Sequence, residues 1–144
     1  QEKQDVRAQV LGFHFIEDCM DFYDVQQVNY DPAMSDRLVE KLENLGLECV
    51  QVDQYARVLN SPLEDAERLF YEQRIMFDNP LFLYCALNVV VKMDFQGRKV
   101  PSKNQSKRKI DGFVAFLCAH KETMDQMIDV NEDDMDEYLD SIYR

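Results

Sequence analysis

The sequence predicts an α/β fold, and three observations carry that expectation. A strand–helix–strand unit with short connections runs from Val25 to Val52. Segments with apolar residues at helical spacing lie on either side of it, at Asp5–Asp21 and Ser106–His120. Hydrophobic residues make up 46% of the 144, enough to bury one ordinary core.

In Asp5–Asp21, Val6, Val10, Phe13 and Glu17 share one helix face, and Leu11, Phe15 and Phe22 lie on an adjacent one. So much apolar surface suits a helix packed on a sheet. Val25–Tyr30 is a strand candidate that stops at Asp31-Pro32, because proline cannot donate to a ladder. Ser35–Leu45 is a helix with Met34, Leu38, Leu42 and Leu45 on one side and Gly46 as its C-cap residue. Leu47–Val52 is the next strand. Two strands joined this way through a helix form a parallel pair.

Ser61-Pro62-Leu63-Glu64 has the pattern of a capping box with proline at the first helical position, opening a helix to about Gln73. Asn79-Pro80 opens another, which gives way near Asn88 to the β-branched run Val89–Val91. Asp94–Gly97 is a turn, a basic loop follows, and a last core helix spans Ser106–His120 with Ile110, Val114, Leu117 and Cys118 on its buried side. The expected organisation is one domain over residues 1–121 and an acidic, solvated tail over residues 122–144, with nine acids between Glu122 and Asp140.

Composition narrows the function classes. No secretory signal is expected in the polar start Gln1–Arg7, and the longest apolar run, Leu81–Val91, is too short to span a bilayer. Four widely spaced cysteines without a CxxC pair read as buried thiols rather than a zinc site. With no glycine-rich phosphate loop, ATP hydrolysis within this segment is not expected. The net charge of −12 opposes general DNA binding, but its distribution does not. Arg98, Lys99, Lys103, Lys107, Arg108 and Lys109 form one basic stretch with no acid inside it, while the rest of the chain carries 10 basic against 28 acidic residues.

Two acids stand out by position. Asp31 falls at the carboxyl end of a strand in a parallel unit, where ligands bind in open sheets; the plainer alternative is a turn residue capping the next helix. Asp111 lies in the first turn of an apolar helix, close to its packed face and beside Gly112. Glycine is a poor helix former, so its presence there points to close approach of backbone or ligand. The plainer alternative for Asp111 is complementing the helix dipole. His14 and His120 are isolated histidines with no triad-like partner.

Taken in order, Asn29-Tyr30-Asp31-Pro32, Leu45–Val52 with Gln54, Asn60-Ser61-Pro62 with the helix to Arg74, Asp78–Leu81 through Asn88–Lys92, and Ser106 with Lys109–Ala115 resemble the nuclease domain of the tailed-phage terminase large subunit, from about residue 5 to residue 120. The resemblance implies a ribonuclease-H-like fold, with a partly parallel sheet flanked by helices. It implies an endonuclease, a hydrolase of phosphodiester bonds, that cuts concatemeric double-stranded DNA during viral packaging, with an ATPase domain ahead of it in the full polypeptide. Asp31 and Asp111 then match metal-binding catalytic carboxylates for two Mg2+ or Mn2+ ions, and oxygen ligands suit both cations. Lys109 is placed near the scissile phosphate, and the basic stretch Arg98, Lys99, Lys103, Lys107, Arg108 and Lys109 contacts the DNA backbone. The family's first catalytic acid sits on an early strand of a β-meander, ahead of where this chain begins, so that strand and acid are expected to be missing from it. The implied partners are DNA, the portal and the small terminase subunit, in a motor oligomer within the host cytoplasm, with the isolated domain a monomer and no membrane involved. Two other readings of the residues stand beside this one: a non-catalytic docking module of the packaging motor, and an acidic α/β domain that binds proteins.

Overall fold

A computed structural model describes residues 12–32 and 36–125 of the protein. Residues 1–11, which include the start of the expected helix Asp5–Asp21, residues 33–35 with Met34 and Ser35 of the second expected helix, and residues 126–144 of the acidic tail fall outside them. The chain forms two compact units that divide between Gln54 and Tyr55. Each is built around its own packed residues.

In the first unit, helix α1 covers residues 12–20, strand β1 is Gln27–Tyr30, helix α2 is Asp36–Asn44 and strand β2 is Glu48–Gln51. The strands pair in parallel with Gln27 opposite Glu48 and Tyr30 opposite Gln51, as the short crossover predicts. Helix α2 ends on Gly46, whose φ of 85° lies in the left-handed region that costs glycine little. The Gly46 N–H donates to the Glu43 carbonyl and the Leu47 N–H to the Leu42 carbonyl, the paired bonds of a Schellman cap. That sharp stop turns the chain directly into β2. Leu42, Leu47 and Val52 are the buried apolar residues among those described in this unit. Helix α1 lies against α2, where Leu38 Cδ2 would meet a side chain built at Gly12 and Lys41 sits over the Phe13 ring.

The second unit contains helix α3, Ala56–Tyr71, helix α4, Pro80–Leu87, and strands β3, Val91–Met93, and β4, Lys99–Pro101. Helix α5 covers residues 111–125. Two expected helix starts move. Ser61-Pro62 does not open α3, which begins at Ala56 and carries Pro62 inside it. A proline there costs about 3 kcal/mol in an exposed helix. Here Leu59, Pro62, Leu63 and Ala66 form one buried face, and burying three apolar side chains fully returns roughly 1.5–3 kcal/mol for each large one. Ser106 does not open α5 either. Its hydroxyl donates to the Ser102 carbonyl at 2.7 Å and accepts the Val90 N–H at 3.0 Å, so it closes a turn five residues before the helix begins. The Asn79 cap is as expected: its Oδ1 accepts the N–H groups of Leu81 and Phe82, and Pro80 occupies the first turn.

The basic stretch is less of a loop than the sequence suggests. Its first part is β4, paired antiparallel with β3 across the Asp94–Gly97 turn. The Lys99 N–H donates to Asn60 Oδ1, which fastens β4 to α3. Ile110, Phe113, Val114, Leu117 and Cys118 of the α5 segment are buried, in agreement with the helical spacing. Phe70, Phe77, Phe82, Phe113 and Phe116 extend this core as an aromatic cluster, with Phe77 stacked on Phe82 at 3.8 Å. Cys85 and Cys118 are buried, as expected, whereas Cys19 and Cys49 are only half-buried. Among the described residues no helix is long and apolar enough to cross a membrane.

A side-chain hydrogen bond joins α3 to α5. His120 stacks on Phe116 and its Nε2 lies 2.9 Å from Asp65 Oδ2, while Arg68 holds the other carboxylate oxygen. The Arg68 hydrogen bond, opposed by partial burial and helped by His120, holds the Asp65 carboxyl below the ordinary carboxylate range. A folded-state pKa below the unfolded one stabilises the fold above the unfolded value and loses that stabilisation as pH falls through the folded value. Asp65→Asn is therefore expected to lower the thermal midpoint at neutral pH, with the gap to wild type closing below about pH 4. Thermal melts from neutral to acid pH measure it; a gap that stays constant would show that Asp65 ionisation is not the source.

Candidate functional site

Asp31 follows β1 directly, at the carboxyl end of the parallel pair. The Tyr30 carbonyl accepts the Val52 N–H at 2.9 Å, so the pairing runs right up to Asp31 and fixes its backbone. Pro32 then keeps the chain from continuing as a strand. The side chain is half-buried.

In the second unit, Asp111 is the first residue of α5. The Ile110 carbonyl accepts the N–H groups of Phe113 and Val114, and Ile110 is itself buried, so the helix start is anchored in the core. Asp111 departs from the expectation of a carboxylate close to the packed face: its side chain is 61% exposed. Lys103 Nζ lies 3.3 Å from its Oδ1. A pocket opens beside it, lined by Lys103, Arg108, Lys109, Ile110 and Asp111. One acid thus sits among three cations at the positive end of a helix.

Gly112 has the close approach that its place in the helix implies. A Cβ there would lie 3.3 Å from Cys85 Sγ on α4. Gly112→Ala should gain less than the roughly 1 kcal/mol that helix propensity offers, because the buried Cys85 must give way. In a Cys85→Ala background the same change should recover most of that gain. Chemical denaturation of the four proteins measures the coupling, and strictly additive effects would contradict this contact.

The six basic residues divide by partner. Arg98 is held by Asp94, with Nη2 to Oδ2 at 2.7 Å. Partial burial pushes the Asp94 carboxyl up, but the Arg98 side chain and the N–H groups of Arg98 and Gln96 outweigh it and hold it below the ordinary range. Lys99 pairs with Glu67 at 3.0 Å, which raises its pKa. These two serve the hairpin and its seat on α3. Lys103, Arg108 and Lys109 line the pocket, and Lys107 is exposed in the same segment. The spacing did not single out Tyr84, whose hydroxyl accepts from Arg108 Nη1 at 3.2 Å and whose ring lies under the guanidinium. The two residues are 24 apart, and no periodicity links an aromatic on one helix to an arginine ahead of another.

Carboxylate oxygens are the right donors for Mg2+ or Mn2+. Among the described residues, however, no three His, Cys, Asp or Glu side chains come together as a metal cluster. Asp31 lies in the first unit and Asp111 in the second, each bringing one carboxylate.

The profile of the family described as "Terminase large subunit, endonuclease domain" matches residues 4–126. Among solved structures, the large terminase of bacteriophage HK97 superposes with a TM-score of 0.71 at 21% identity, over 79% of this chain and 24% of that one. The chain therefore spans about a quarter of that protein's length. At this identity the likeness shows the fold, which is the α/β, ribonuclease-H-like arrangement. No curated protein sequence matches.

Proposed function

The chain belongs to the terminase large subunit endonuclease domain family, and from that membership we propose that it is the metal-dependent endonuclease module of a viral DNA-packaging terminase, cutting concatemeric double-stranded DNA. The observation that carries this reading is the family match over residues 4–126, which takes in both Asp31 and Asp111. Asp31 and Asp111 would help to hold the two Mg2+ or Mn2+ ions, and bound ions supply Lewis-acid activation of water and of the leaving oxygen.

The chain's own residues do the rest. Asp111 meets solvent at a helix start, where a cation can reach it. Lys103 Nζ lies 3.3 Å from its Oδ1 and would share the carboxylate with a divalent ion held there. Lys109, Lys107 and Arg108 present positive charge for phosphates on either side of the scissile bond, contacts that position DNA without reading its sequence. Arg98 and Lys99, engaged by Asp94 and Glu67, shape the hairpin and add to the field of the surface.

The complete protein is expected to nick supercoiled plasmid in the presence of Mn2+, and EDTA or Asp31→Ala should remove the activity. Cleavage that survives both Asp31→Ala and Asp111→Ala would rule the reading out. A second reading rests on the nine acids of Glu122–Asp140. It makes that segment a docking surface for the portal or the small terminase subunit. Truncation before Glu122 that abolishes their capture while leaving nicking intact would favour this as an added role.

A further inference from the structure

We propose that Tyr84 is a positioning residue, which holds the Arg108 guanidinium beside the Asp111 pocket in readiness for a DNA phosphate. The inference rests on the DNA-cutting reading above and assigns a residue to it. Lys103, Arg98 and Lys99 each face a carboxylate, so part of their charge is already answered within the protein. Arg108 is different. Among the described residues its side chain is met by a phenol: Nη1 donates to the Tyr84 hydroxyl at 3.2 Å, and the guanidinium carbon lies 5.8 Å from the ring centroid.

A hydroxyl and a ring face fix the plane of a guanidinium without cancelling its charge. Arginine carries five N–H donors. Tyr84 takes one of them, which leaves enough for a two-point contact to a phosphate. The pocket places Lys109 and Lys103 beside it for the same anion. Tyr84 sits on α4, whose Cys85 packs on Gly112 at the start of α5. The support for Arg108 and the backbone next to Asp111 therefore come from one helix. Ordering a long side chain before DNA arrives removes a cost that binding would otherwise meet.

Tyr84→Phe removes the hydroxyl and keeps the ring. Tyr84 is 39% exposed, and thermal melts of the variant should match wild type. Binding of a short fluorescein-labelled DNA duplex to the complete protein, followed by anisotropy in EDTA, avoids cleavage and metal. Tyr84→Phe is expected to weaken affinity about threefold to tenfold, the cost of immobilising one long side chain. The slope of log affinity against log salt should stay unchanged. Arg108→Ala should lower that slope by about one, as for loss of one phosphate contact. In the Arg108→Ala background, Tyr84→Phe should have no further effect. Wild-type affinity for Tyr84→Phe, or an equal loss with and without Arg108, overturns the positioning role. Wild-type affinity and slope for Arg108→Ala would overturn the DNA contact itself, a different failure from the first.

Discussion

Replacing Asp111 by alanine is expected to reduce Mn2+-dependent plasmid nicking by about 100-fold or more, since a carboxylate on a catalytic cation contributes several kcal/mol of transition-state stabilisation. The loss should be chemical, not structural. The Asp111 side chain is 61% exposed, and its ion-pair partner among the described residues, Lys103, is itself half-exposed. An exposed pair of this kind contributes at most about 1 kcal/mol to stability. The anchor of α5 is the buried Ile110 with its two accepted N–H groups, and the substitution leaves it intact. Circular dichroism and the thermal midpoint of Asp111→Ala should therefore stay near wild type while nicking disappears. Nicking at the wild-type rate by a folded variant would remove Asp111 from the catalytic set.

The largest stability effect away from the apolar core is expected at Ser106. Its hydroxyl accepts the Val90 N–H and donates to the Ser102 carbonyl, and the Ser102 N–H returns a bond to the Val90 carbonyl at 2.8 Å. Ser102 and Ser106 are the buried polar residues among those described. Ser106→Ala would leave the part-buried Val90 N–H without its acceptor, at a cost of about 1–3 kcal/mol. Against a typical total stability of about 5–15 kcal/mol, that is a large share. Urea denaturation should show a lower midpoint at an unchanged slope. The turn from Ser102 to Ser106 leads straight into Lys107, Arg108 and Lys109, so DNA affinity should fall as well. A midpoint equal to wild type would mean that water satisfies Val90 without loss.

Local chemistry made much of this fold legible in the sequence. Gly46 and Asn79-Pro80 are short-range signals, and each acts on backbone groups a few residues away. The parallel pair follows from a strand, a helix and a strand joined too tightly for another arrangement. Gly112 announced a close contact, though not that Cys85 makes it. The misread starts share a cause. Ser61-Pro62 and Ser106 both carry helix-opening residue types, but Pro62 is held in α3 by the burial of its face, and the Ser106 hydroxyl is taken by Val90, 16 residues away. The basic stretch was visible as charge. Its division into hairpin cations and pocket cations depends on Asp94, Glu67 and Tyr84, the last two 32 and 24 residues distant from their partners. Asp111 was found by its place at a helix start, while its exposure depends on how α5 turns on the core.

The most direct test of the central claim is Mn2+ binding to the complete protein, followed by the electron paramagnetic resonance signal of the free ion. If Asp31 and Asp111 bind catalytic metal, wild type takes up Mn2+, and Asp31→Ala and Asp111→Ala each weaken that uptake while remaining folded. Uptake undiminished in both variants would contradict the account, whatever the family membership of the chain.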